Sequence, residues 1–179
     1  MALTSTVHQF DIDLADADRH VYESLALRVP RHPSESEDYM VTRVLAYALE
    51  YTEGIAFSRG LSEPDEPTLS VRDATGVLRA WIDIGTPDAD RLHKASKAAA
   101  RVAVYMHKDP GQYLARLASA RSHRPDTVEF MSVDPTLRGA LVARLDRRVA
   151  FSLSVMDQDL YVAIGDVTLS GVVTRHRLM

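Results

Sequence analysis

Apolar and acidic residues alternate along Phe10-Asp11-Ile12-Asp13-Leu14, the two-residue period of a strand with one buried face, and Leu25, Leu27 and Val29 repeat the pattern beyond a polar turn at Ala15 to Arg19. An N-terminal β-hairpin is predicted. Ser34-Glu35-Ser36-Glu37 then matches a capping box and opens a helix whose Met40, Val41, Val44, Leu45, Ala48 and Leu49 fall on one stripe, ending near Gly54.

A short strand at Ile55 to Phe57 precedes the loop Gly60-Leu61-Ser62-Glu63-Pro64-Asp65-Glu66-Pro67, where the prolines forbid regular structure. Leu69 and Val71 predict one strand, Asp73 to Gly76 a turn, and Leu78, Ala80, Ile82 and Ile84 the inward side of a second strand, which leaves Trp81 and Asp83 on the opposite side. Thr86 is the predicted cap of a helix with Pro87 at its first position and Leu92, Ala95, Ala99 and Val102 on its apolar face. The pattern continues as a strand through Val104 and Tyr105, a helix near Gln112 to Ser119, a strand at Val128 to Val133, a helix from Pro135 to Leu145, and three strands within Arg148 to Val173. This order predicts an α/β fold, a mixed sheet flanked by helices. No linker interrupts it, so residues 1–179 read as a single domain.

Composition adds constraints rather than a function. At 46% hydrophobic and 26% charged, the chain is an ordinary globular protein. It has no cysteine, which removes disulfides, thiolate zinc sites, iron–sulfur clusters and thiol catalysis, and leaves oxygen and imidazole as the only metal ligands. The start Met1-Ala2-Leu3-Thr4-Ser5-Thr6 lacks the basic and apolar regions of a secretion signal, and no apolar run reaches membrane-spanning length, so a cytoplasmic location and no membrane partner are expected. A net charge of −4 argues against a broadly basic nucleic-acid-binding surface while leaving room for a local basic groove.

Phosphate-loop, dinucleotide-binding, nucleophile-elbow and zincin spacings are all absent. Asp11, Asp13, Asp16 and Asp18 do not satisfy a calcium loop, because Asp16 stands where its glycine is needed and Tyr22 where its bidentate glutamate is needed; they read as the solvated side of a strand and its turn. The stronger candidate is the acidic loop with the second hairpin strand. Mg²⁺ or Mn²⁺ wants carboxylates, water and substrate phosphate, a set that Asp83 facing Asp65 or Glu66 supplies. Arg59 or Arg79 can equally hold these carboxylates as ion pairs. Arg91, Lys94, Lys97 and Arg101 share one arc of the following helix and form a candidate nucleic-acid-binding stripe, or simply its solvated side. Trp81, the only tryptophan, reads either as a stacking platform for a base or as core.

Several strings resemble one family over nearly the whole chain: Phe10 to Leu14 with Asp18-Arg19, Arg31-His32-Pro33-Ser34-Glu35, Leu45-Ala46-Tyr47-Ala48-Leu49, Gly60-Leu61-Ser62 with Asp65-Glu66-Pro67, and Trp81 to Asp88. That family is YaeQ. The resemblance implies a variant of the PD-(D/E)XK nuclease core at about residues 34–106, with the N-terminal hairpin and C-terminal helix and strands as additions. It further implies metal binding by a carboxylate near the second core strand and another on the third, with a lysine two residues after the latter. Here the third-strand acid is Asp83 and the second-strand region is Asp65-Glu66-Pro67-Thr68-Leu69. The pattern departs twice: Gly85 stands in place of the lysine, and Thr68 in place of the aspartate that follows the proline. Lys94 or Lys97 from the next helix can replace the lysine, Asp65 or Glu66 the aspartate, and Glu50 or Glu53 can complete the shell.

Two functions follow as expectations. One is a divalent-metal-dependent nuclease or phosphodiesterase with Asp83 and Asp65 or Glu66 as ligands and Lys94 stabilising the transition state or orienting water. The other is a noncatalytic interaction or regulatory protein that keeps the fold without the chemistry, including a partner of the transcription or RNA machinery.

Overall fold

A computed structural model describes residues 4–58, 65–120 and 127–178. Arg59 and the Gly60 to Pro64 part of the acidic loop lie outside the described residues. The elements are β1 (Thr6–Asp16), β2 (Val21–Arg31), α1 (Glu37–Leu49), β3 (Ile55–Phe57), β4 (Leu69–Arg72), β5 (Leu78–Ile84), α2 (Ala89–Ala98), β6 (Arg101–Met106), α3 (Pro110–Ser119), β7 (Val128–Val133), α4 (Pro135–Val142), β8 (Arg148–Met156), β9 (Asp159–Ile164) and β10 (Val167–His176). Their order is the one that hydrophobic periodicity predicts.

The chain divides into two compact units, Met1–Val41 with Val133–Thr174, and Thr42–Ser132 with Arg175–Met179. In the first, the sheet order is β2-β1-β8-β9-β10. β1 and β2 pair antiparallel along their full length, from Thr6 opposite Arg31 to Asp16 opposite Val21, and β1 pairs parallel with β8. Phe10, Ile12, Leu14, Leu25, Leu27 and Val29 are buried as the alternation requires. The acidic series is not uniformly solvated, however. Asp16 is buried and forms an ion pair with Arg19 at 2.8 Å. Asp18 accepts hydrogen bonds from the N–H groups of Asp157 (2.7 Å) and Gln158 (3.0 Å), steadying a β8–β9 turn in which both residues have positive φ.

In the second unit the order is β7-β6-β5-β4-β3, antiparallel through β3, β4 and β5 and parallel through β5, β6 and β7. Both sheets are therefore mixed. The helices α2 and α3 follow β5 and β6 as crossovers, and bring Leu92, Ala95, Tyr113 and Leu117 into one core with Trp81, Val104 and Phe130.

Several element ends differ from the sequence reading, among them the end of α4, which is Val142 rather than Leu145. Ser36, whose hydroxyl accepts from the Tyr39 N–H at 3.1 Å, caps α1, and the helix stops at Leu49 rather than near Gly54. Gly54 instead sits in the turn before β3 at φ +92°, where a Cβ would lie 2.0 Å from the Arg72 carbonyl oxygen. At α2 the cap is Asp88, not Thr86, because its carboxylate accepts from the Arg91 N–H at 2.8 Å.

The hairpin turn at Asp73 to Gly76 forms as predicted, and its acid is held strongly. The Asp73 carboxylate accepts from the Thr75 hydroxyl (2.6 Å) and from the N–H groups of Thr75 (2.9 Å) and Val77 (3.0 Å), and pairs with Arg79. These bonds, the Thr75 hydroxyl first, lower its pKa to about 2. A depressed carboxyl contributes stability above its ordinary range and loses it as pH falls through about 2. Carboxyl NMR titration should place the Asp73 midpoint near 2, and in Thr75→Val the midpoint should rise toward the ordinary carboxylate range. An unchanged midpoint would refute the role given to the hydroxyl.

Candidate functional site

β5 is buried at every position from Ala80 to Ile84, so Asp83, at 1% exposure, is a carboxylate inside the protein. A buried charge needs a partner and hydrogen bonds to its remaining lone pairs. The neighbouring strand supplies part of this: β4 runs antiparallel with Leu69 opposite Ile82, bringing Thr68 to Asp83, whose Oδ1 accepts from the Thr68 N–H at 3.2 Å and its hydroxyl at 3.4 Å.

The charge partner comes from α2. With Asp88 capping the helix, Arg91 stands in the first turn and forks the carboxylate, Nε donating to Oδ2 at 2.7 Å and Nη2 to Oδ1 at 3.0 Å. Nη2 also donates to the Glu66 carbonyl at 2.8 Å, and the guanidinium lies 5.3 Å above the Trp81 ring. Trp81, 2% exposed, is therefore core under an arginine and not an open platform for a base. Tyr113 closes the same neighbourhood, its hydroxyl donating to the Pro87 carbonyl at 2.6 Å. Burial first, and the Asp83 charge second, push the Tyr113 pKa up, so it remains a neutral donor.

The other predicted residues disperse. Asp65 is 75% exposed on its side chain and pairs with Lys94, while Glu66 reaches the site through its main-chain carbonyl. Lys97 is exposed on α2 and Glu53 in the turn before β3. Arg101 is not on the helix at all: α2 ends at Ala98, and Arg101 opens β6. There it forks Glu50, Nη1 to Oε2 at 2.6 Å and Nη2 to Oε1 at 3.0 Å, and meets Glu129 at 2.6 Å. The Tyr105 hydroxyl donates to the same Glu50 at 2.7 Å. Burial lowers the Arg101 pKa, but the hydrogen bonds and charges of Glu50 and then Glu129 outweigh it and raise it. Arg79, a candidate partner for Asp83, belongs to Asp73 instead.

These donors do not fit a divalent cation. Asp83 and Glu50 both have their oxygens bound by guanidinium groups, Asp65 holds Lys94, and among the described residues no three histidine, aspartate or glutamate side chains converge. Gly85 has a local reason as well. Its φ of +102° lies where glycine is favoured, and its N–H donates to the Tyr105 carbonyl at 2.9 Å, so a lysine at that position would be strained. Sequence reasoning missed Arg91 as the partner of Asp83, although its place in the first turn after a capping aspartate was a usable signal.

A sequence profile for the family described as YaeQ protein matches residues 1–172, running through both units. Proteins described as uncharacterized YaeQ from Salmonella typhi and Escherichia coli (strain K12) are 37% and 36% identical over 107 residues. Each match takes in 60% of this chain and spans 59% of the relative's length. The crystal structure of the YaeQ protein from Xanthomonas axonopodis pv. citri superposes with a TM-score of 0.87 at 29% identity, covering 98% of this chain and 100% of that one. For the YaeQ protein from Pseudomonas syringae the TM-score is 0.85 at 30% identity, with 96% and 95% covered.

Proposed function

Because the chain belongs to the YaeQ family, we propose that its second unit is a variant of the PD-(D/E)XK core that keeps the fold without hydrolysing phosphodiesters, as a noncatalytic interaction or regulatory protein. The order α1, β3, β4, β5, α2, β6, with an antiparallel hairpin leading into a parallel strand pair, supports the first half of this reading. The second half rests on one observation, the bidentate Arg91–Asp83 pair. A cation ligated by Asp83 has to displace a guanidinium that is also bonded to the Glu66 carbonyl and stacked on Trp81, and has to leave two positive charges side by side in a partly dry site. Three of the four cations read as a basic stripe are similarly committed, Arg91 to Asp83, Lys94 to Asp65 and Arg101, on β6, to Glu50, which leaves the exposed Lys97. Little cationic charge is left over for a phosphate backbone.

The test is calorimetric titration of Mn²⁺ into the native protein and into Asp83→Ala, beside assays of hydrolysis on single-stranded DNA, RNA and bis(p-nitrophenyl) phosphate. We expect no saturable heat and no cleavage. Saturable heat together with cleavage, both lost in Asp83→Ala, would replace this reading with that of a metal-dependent phosphodiesterase.

A further inference from the structure

The first unit carries a feature that the Asp83 site does not use and on which the preceding reading does not depend. β2 is the edge strand of its sheet, and its register fixes which main-chain groups face outward. On β1 the N–H groups of Gln9 and, just beyond the strand, Ala17 point to the β8 side, donating to the carbonyls of Arg147 and Val155. Both groups of a strand residue point the same way, so the intervening residues of β1 bond to β2. Phe10 faces Leu27 and Ile12 faces Leu25, which makes the odd-numbered residues of β2 the bonded ones. The N–H and C=O of Tyr22, Ser24, Ala26 and Arg28 therefore face away from the sheet, and all four residues are exposed.

Long open edges are templates for strand addition, and proteins usually blunt them with proline, inward-pointing charge or brevity. Here the strand is 11 residues long, and the proline, Pro30, sits outside the run from Tyr22 to Arg28. That run is centred on Leu25 and includes one acid, Glu23, on the Leu25 side of the strand. Turned antiparallel against a copy of itself with Leu25 at the two-fold axis, it sets Tyr22 opposite Arg28 of the second copy and Ser24 opposite Ala26, and each of these pairs can exchange both its hydrogen bonds. The outer pairs are chemically matched as well. Tyr22 is 62% exposed, an unusual place for a large aromatic side chain, and a guanidinium directly across the strand gives its ring a cation–π partner at both ends of the ladder.

We infer that the β2 edge is a homodimer interface, occupied by β2 of a second copy in antiparallel two-fold register about Leu25. Light scattering and sedimentation equilibrium on the full chain should show a monomer–dimer equilibrium. Ala26→Pro removes only an outward donor and should give a monomer with unchanged circular dichroism. Should that variant misfold, Arg28→Glu, which leaves the β1 ladder intact, should weaken dimerisation by roughly tenfold through loss of the aromatic contact. The chain has no cysteine, so mixing Ser24→Cys with Ala26→Cys protein under oxidising conditions should yield a crosslinked heterodimer at a spacing that a disulfide can bridge. A strictly monomeric native protein, or a dimer that neither Ala26→Pro nor Arg28→Glu weakens, would overturn the inference.

Discussion

Arg91→Ala is expected to destabilise the protein by about 3–5 kcal/mol, the cost of stranding a buried charge by removing its partner. Among the described contacts Asp83 would keep the Thr68 N–H at 3.2 Å and hydroxyl at 3.4 Å, both neutral donors, for a carboxylate that is 1% exposed. Some of the loss would come from packing, since the guanidinium also covers the Trp81 ring. Asp83→Asn should cost less, because the arginine side chain, at 26% exposure, can turn its freed donors to water whereas the buried carboxylate cannot. Urea denaturation checks both, as a shift of midpoint at unchanged slope. A loss below about 1 kcal/mol for Arg91→Ala would mean that the pair behaves like a solvent-screened surface bridge, and would remove the energetic argument against a metal at Asp83.

Trp81→Ala should cost a similar amount, about 3–5 kcal/mol, by opening a cavity beneath α2. The ring is among the largest fully buried side chains and packs in the cluster that joins β5, β6 and β7 to α2 and α3. Its indole Nε1 is buried without an acceptor among the described residues. Trp81→Phe should therefore be much milder, because deleting an unsatisfied donor offsets part of the lost volume. Thermal unfolding followed by circular dichroism separates the two variants. Equal losses would show that the indole N–H is not a liability, and that volume alone decides.

Most of the architecture is legible in the amino-acid sequence. The alternation in Phe10 to Leu14 and in Leu25 to Val29 marked the hairpin, and Pro135 marked the start of α4, because both signals are local, whereas α3 starts at Pro110, ahead of the Gln112 that periodicity suggests. Element ends were less legible where two residues compete for one role. Thr86 and Asp88 both make acceptable caps, and only the position of the Arg91 N–H selects the aspartate. Arg101 illustrates the same limit at larger scale: helical spacing from Arg91 places it on the stripe only if α2 continues, and the chain leaves the helix after Ala98 to enter the sheet.

The amino-acid sequence by itself determined the order of strands and helices, the exclusion of thiol chemistry and the family, since these depend on local periodicity, composition and strings of adjacent residues. Only the tertiary structure decided what the charges do. Asp83 and Arg91 lie eight residues apart, Glu50 and Arg101 lie 51 apart, and nothing in residue type distinguishes a carboxylate awaiting a cation from one already held by arginine. That choice is made by burial. Once β5 and α2 close over Asp83, water can no longer screen the charge, and the nearest guanidinium becomes its counter-ion.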